Sequence, residues 1–128
     1  MDDSKYFLDR PGVRHRFEAL APRYEQIDGL DAEARERLLA HLEPIKIRPD
    51  RILDLGSGVG SCASALTQQF RKAQLIELDF APAMLKSSRS RERRSFFSRR
   101  TRVAAAAERL PLRPHCIDLA YANLTLAW

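Results

Sequence analysis

The segment Asp54-Leu55-Gly56-Ser57-Gly58-Val59-Gly60 sets an acid and three glycines at alternate positions directly behind the apolar run Ile52-Leu53. Glycine at such points removes a Cβ where the backbone must bend sharply or let a ligand come close. The next residues, Ser61-Cys62-Ala63-Ser64-Ala65-Leu66, are small and helix-compatible. A helix starting there offers unpaired N–H groups to an anionic or strongly polar ligand. Strand, glycine turn and helix together read as a nucleotide-type pocket. Asp79, 19 residues beyond Gly60, closes a second apolar run. A carboxylate at that distance accepts hydrogen bonds from ribose hydroxyls and repels a 2′-phosphate.

Spacing separates the nucleotide folds. The dinucleotide fingerprint needs G-x-G-x-x-G, but its third position here is Ser61 and the glycine falls one residue early, at Gly60. The Gly-Lys-Ser/Thr ending of a phosphate-binding loop is absent. Cys62 and Cys116 are far apart with no metal-ligand spacing around them, and read as free thiols of a reducing cytoplasm. His15, His41 and His115 are scattered and read as surface or structural groups, so no metal is expected.

The elements that must position these residues follow from the apolar pattern. Val13, Phe17, Leu20, Ala21 and Tyr24 recur at helical spacing, with Pro22 as a kink or restart. Asp31 is the expected N-cap of a second helix with the stripe Ala34, Leu38, Leu42 and Ile45, ending near Pro44. Strands are expected at Arg51 to Leu55, Gln74 to Asp79, Arg102 to Ala106 and Cys116 to Ala122. Helices are expected from Val59 to Phe70 and from Pro82 into the serine-rich stretch. This order predicts an α/β fold, a parallel sheet with helices on both faces. Residues 1–48 form a helical cap and 49–128 a Rossmann-like half domain in this reading.

At 128 residues, 45% hydrophobic and 30% charged, the chain suits one globular domain. No apolar run approaches the roughly 20 residues that cross a bilayer, and Met1-Asp2-Asp3-Ser4-Lys5 does not lead into a signal-peptide core. The net charge of +5 is local. Lys86, Arg89, Arg91, Arg93, Arg94, Arg99, Arg100 and Arg102 face one acid, Glu92, across residues 86–102. That stretch reads as a solvated helix end, as a docking patch for an acidic partner, or as a nucleic-acid surface on which Phe96-Phe97 stack bases.

Four segments, Leu53-Asp54-Leu55-Gly56-Ser57-Gly58-Val59-Gly60, Leu78-Asp79-Phe80-Ala81-Pro82-Ala83-Met84-Leu85, Glu108-Arg109-Leu110-Pro111-Leu112 and Ile117-Asp118-Leu119-Ala120-Tyr121, resemble the successive motifs of class I S-adenosylmethionine-dependent methyltransferases. The likeness is closest to the malonyl-acyl-carrier-protein O-methyltransferases of biotin synthesis. It extends through Val13-Arg14-His15-Arg16-Phe17, Tyr24-Glu25 and Asn123-Leu124-Thr125-Leu126-Ala127-Trp128.

The resemblance implies a three-layer sandwich with strand order 3-2-1-4. It implies that the backbone of Gly56, Gly58 and Gly60 passes under the methionine part of S-adenosylmethionine, with Ser57 also a cofactor-binding position, Asp54 at the amino group, directly or through water, and Asp79 on the ribose. Phe80 and Met84 then flank the adenine, and Asn123 lies near the methyl group. Tyr24 either closes over the amino-acid end or is a core tyrosine, and Met84 is otherwise core filling. Ala105-Ala106-Ala107 stand where the family usually has Gly-Asp-Ala. Ala107 keeps its place at the adenine, but Ala106 replaces the acid that reads the adenine amino group. The implied substrate is an acyl-carrier-protein thioester; another small acid, a protein or an RNA is the alternative acceptor, and a non-catalytic module using the basic stretch the alternative role. Relatives continue past the fourth strand, so the chain resembles the front half of such an enzyme, expected to bind its cofactor weakly and to turn over poorly.

Overall fold

The computed structural model describes residues 9–93 and 96–125; Arg94 of the basic stretch and the Leu126-Ala127-Trp128 ending lie outside them. Among the described residues, four helices and four strands follow one another as α1 (Arg10–Leu20), α2 (Gly29–Leu42), β1 (Arg51–Leu55), α3 (Ala63–Gln69), β2 (Gln74–Asp79), α4 (Pro82–Arg91), β3 (Arg100–Ala104) and β4 (Leu119–Ala122), with a 3-10 helix at Ala21–Gln26. The sheet is parallel throughout, in the order β3-β2-β1-β4. β1 is central, with Ile52 opposite both Leu75 and Leu119. The expected order 3-2-1-4 is therefore the observed one.

The two sheet faces are packed differently. Ile52, Leu75 and Tyr121 join Cys62, Ala63 and Leu66 around α3, and Leu38, Leu39 and Leu42 of α2 close that cluster. Leu53, Ile76 and Leu78 point the other way and meet Val103, Ala105, Leu112 and Ile117. Among the described residues, that second face is thus covered by the connection between β3 and β4, through Ala105, Leu112 and Ile117, where a helix was expected.

Element boundaries depart from expectation for local reasons. The first helix ends at Leu20 because Pro22 has no N–H to continue the ladder, and Arg23 leaves helical geometry (φ −128°, ψ 17°). Asp31 is not the cap of α2. It sits in the first turn, where an acid suits the helix dipole, and accepts the Tyr24 hydroxyl instead. Ile45 is 44% exposed and does not extend the stripe.

The helix expected from Val59 starts only at Ala63, since Gly60 has φ +77°, outside right-handed helix. β3 begins two residues early because Arg100 and Arg102 both reach inward to Glu77. β4 starts late because the Asp118 carboxylate accepts the N–H groups of Asp50 and Arg51, each at 2.9 Å. That tie anchors the connection before pairing begins.

Candidate functional site

Ligands of open parallel sheets bind outside the carboxyl ends of the strands, where the strand order reverses. Here the reversal lies between β1 and β4, and a cleft of about 270 Å³ opens there. Each strand sends its C-terminal loop into the wall: Gly56 and Gly58 after β1, Phe80 after β2, Ala105 to Glu108 after β3, and Asn123 to Thr125 after β4. The N-terminal elements close the outer side with Arg10, Val13, Phe17, Tyr24 and Asp31.

Eight of the eleven expected site residues line this cleft: Tyr24, Gly56, Gly58, Asp79, Phe80, Met84, Ala107 and Asn123. Asp54, Ser57 and Gly60 do not line it: Asp54 lies on β1 beneath the loop, and Ser57 and Gly60 belong to the loop without facing the cleft. Sequence reasoning missed Arg10, Val13, Asp31 and Thr125 as wall residues. A signal existed for two of them, because Arg10, Val13 and Phe17 are spaced three and four apart and share one helix face. Part of the apolar stripe of α1, Val13 and Phe17, faces the cleft.

Asp79 is the best-fixed polar group of the wall. It is 6% exposed, its Oδ2 accepts the Gly58 N–H and its Oδ1 the Ala81 N–H, both at 2.9 Å. A carboxylate has about four acceptor positions, so capacity remains for ligand hydroxyls beyond these backbone bonds. Burial pushes its pKa up, against the lowering effect of the Ala81, Gly58 and Phe80 N–H groups. The glycine loop itself is held by Gly56 and Ser57 N–H groups donating to the Leu78 carbonyl. Gly56, Gly58 and Gly60 all have positive φ (68°, 55° and 77°). A Cβ on Gly58 would meet nothing within 4 Å, because that side of the loop faces open cleft.

Two buried polar atoms by the loop, Asp54 Oδ2 and Ser57 Oγ, have no hydrogen-bond partner among the described residues. Such atoms are costly unless something arrives to satisfy them. Burial, then the nearby Glu77 and Asp79, pushes the Asp54 carboxyl up to about 7. Tyr24 donates its hydroxyl to Asp31, and burial with that bond raises its pKa. Asn123 donates to the Asp31 carbonyl at 3.0 Å. Phe17 stacks edge-on against Phe80, ring centres 5.8 Å apart, and makes the wall apolar between these polar points. Ala105, Ala106 and Ala107 present only methyl groups, while the adjoining Glu108 is paired with Arg10 at 2.7 Å.

Among the described residues, folding divides the side chains of the basic stretch. Arg100 and Arg102 turn inward to Glu77, Arg102 also pairs with Glu92, Arg91 pairs with Glu25, and Arg99 donates to the Lys72 carbonyl. Lys86, Arg89 and Arg93 remain exposed. The connection from α4 to β3, with fully exposed Phe96, enters the strand at its N-terminal end. Phe96 therefore lies toward the N-terminal ends of the strands, the end of the sheet opposite the cleft.

A family model described as a methyltransferase domain matches residues 53–128. The chain is 39% identical over 132 residues to the malonyl-[acyl-carrier protein] O-methyltransferase of Methylovorus sp. (strain MP688), covering 100% of this chain and 45% of the relative. It is 41% identical over 122 residues to the same-named protein of Halorhodospira halophila, covering 94% and 40%. The chain thus spans less than half the length of these curated relatives. The fold is similar to a chain in the complex of the Haloferax volcanii Trm112 methyltransferase activator with a methyltransferase, at TM-score 0.66 and 20% identity, covering 83% of this chain and 46% of that one. It is also similar to a plantazolicin methyltransferase in complex with SAH, at TM-score 0.54 and 14% identity, covering 89% and 49%.

Proposed function

Starting from a chain that belongs to the methyltransferase domain family, we propose that its cleft binds S-adenosylmethionine and that it forms the donor-binding part of an enzyme methylating the free carboxylate of malonyl-acyl-carrier protein in the cytoplasm. The observation that carries the reading is Asp79, pinned by Gly58 and Ala81 with acceptor positions to spare, beside a glycine loop with the unsatisfied Asp54 Oδ2 behind it. The residues present fit the cofactor. Asp79 would take the ribose hydroxyls, the open side of Gly58 would admit the amino-acid chain, and Asp54 would satisfy its orphaned oxygen on the ammonium, directly or through water. Phe80 and Met84 would flank the adenine, with the methyls of Ala105 to Ala107 at its edge. Asn123 and Tyr24 would border the methionine end. The acceptor follows the names of the relatives.

The bound cofactor supplies a methyl group on a sulfonium, an already activated leaving group. A carboxylate acceptor is ionised at neutral pH and needs no general base. The chain's work is then alignment and exclusion of water. Phe17, Phe80 and Met84 supply the dry wall. No residue of this chain is assigned as an acid or base catalyst.

Calorimetric titration with S-adenosylhomocysteine tests the binding, and label transfer to malonyl-acyl-carrier protein tests the acceptor. Binding is expected for the wild-type chain and a loss of about fivefold or more for Asp79→Ala, in line with the roughly 1–3 kcal/mol of a hydrogen-bonded buried group. A folded wild-type chain that takes up no S-adenosylhomocysteine overturns the reading.

A further inference from the structure

Behind the glycine loop, on the sheet face that carries Asp54, lies a charged cluster that does not reach the cleft. Glu77 is the register partner of Asp54 across β1 and β2, and its side chain is fully buried. Arg100 grips it with a two-pronged contact, Nε to Oε2 at 3.0 Å and Nη2 to Oε1 at 2.9 Å. Arg102 adds a second guanidinium at 3.4 Å, and Ser88 of α4 donates its hydroxyl to Oε1.

The loop rests on this cluster without space between. A Cβ on Gly60 would lie 2.8 Å from Glu77 Oε1 and 3.0 Å from Ser88 Cβ, and would collide with Ser88 Oγ. An apolar side chain could fill the same volume with no charge to desolvate. What an apolar filler would not supply is the field.

We propose that the Glu77–Arg100 pair is a positioning device for the loop: seated under Gly60, it sets the height of the loop and the field at Asp54, and so tunes cofactor affinity from outside the cleft. This rests on the reading of the cleft as an S-adenosylmethionine site. The groups that face Asp54 are Glu77 and Asp79 from β2, Arg100 from β3, Cys62 before α3 and Tyr121 from β4. Of these, Glu77 and Asp79 oppose its ionisation and Arg100 favours it. The two members of the pair therefore act on Asp54 in opposite senses, although they hold one another in place.

That opposition gives the test. The full chain, with Glu77→Gln, Arg100→Met and Arg100→Lys, is titrated with S-adenosylhomocysteine between pH 5.5 and 8.5, with a thermal melt of each variant. The pH at which affinity is half lost is expected to move down by roughly one unit in Glu77→Gln and up by roughly one unit in Arg100→Met, with Arg100→Lys close to wild type. A merely structural pair would lower both melting temperatures without moving the two profiles apart.

Both variants retain partners: Arg102 still pairs Glu77 when Arg100 is lost, and Ser88 still bonds the glutamine. Ser88→Ala, which keeps every charge, provides a second reading. It is expected to weaken binding several-fold at every pH without shifting the profile. Unshifted profiles, shifts in the same direction, or an unchanged Ser88→Ala affinity in a wild-type chain that binds overturn this inference alone. A folded wild-type chain that does not bind overturns it together with the assignment of the cleft.

Discussion

Asp54 shows how a single buried side chain can link stability to ligand binding. Its carboxyl is 2% exposed and its pKa is pushed from 3.8 to about 7, first by burial and then by Glu77 and Asp79. A raised pKa means the folded state holds the proton more tightly than the unfolded one. The stability this confers is complete below about pH 4 and is lost as pH rises through 7. Above pH 7 the folded chain carries a poorly solvated carboxylate, a charge that a ligand ammonium would offset. Asp54→Asn is therefore expected to be more stable than wild type at pH 8, by about 1.4 kcal/mol for each unit of raised pKa, with the advantage shrinking at pH 5. Urea denaturation at the two pH values measures the difference. An equal effect at both would mean that the proton is not involved.

At the scale of elements, the cleft depends on α1 standing where it does. This helix starts with an Asp9 side chain accepting the Gly12 N–H at 3.2 Å. It is held over the sheet by Ala21 packing with Val59, Ala81 and Met84, with Phe17 and Tyr24 against them. The Arg10–Glu108 pair spans from α1 to the loop after β3, but both side chains are more than half exposed or close to it, 61% and 50%. Such a pair contributes little, about 0–1 kcal/mol, and less in salt. The cap should matter more. Asp9→Ala is expected to cost about 1 kcal/mol and to speed amide hydrogen exchange in the first turn of α1, while Glu108→Ala leaves exchange there nearly unchanged. Exchange measured by mass spectrometry or NMR separates the two.

The whole molecule is organised by β1 between β2 and β4, with α3 buried against it. Leu66 of α3 is completely buried in the cluster with Ile52, Leu75 and Tyr121. Leu66→Ala is expected to cost 2–5 kcal/mol, the loss appearing as one cooperative urea transition at lower midpoint. A variant that melts α3 separately from the sheet would show that these elements do not share one core. The basic stretch belongs to this scale as well. Read along the chain it is a block of charge, but folding sends Arg100 and Arg102 inward and leaves Lys86, Arg89 and Arg93 outside.

The strand order was implied by the family resemblance, whereas the sequence by itself determined the bounds of β1 and β2, the three-glycine turn and the place of Asp79 at the end of β2. Those features are local: apolar run length, glycine spacing and proline position act on the chain wherever it sits. Residues with strong local constraints, such as Pro22 and Pro82, met their expected roles. Only the tertiary structure decided that α1 lends Arg10 and Val13 to the cleft, that Asp31 serves Tyr24 instead of capping α2, and that β3 begins at Arg100 because Glu77 lies buried opposite. Each of these depends on a partner 7 to 98 residues away. A side chain's periodicity tells which face it occupies, whereas the partner that satisfies its charge is chosen by what folding brings to that face.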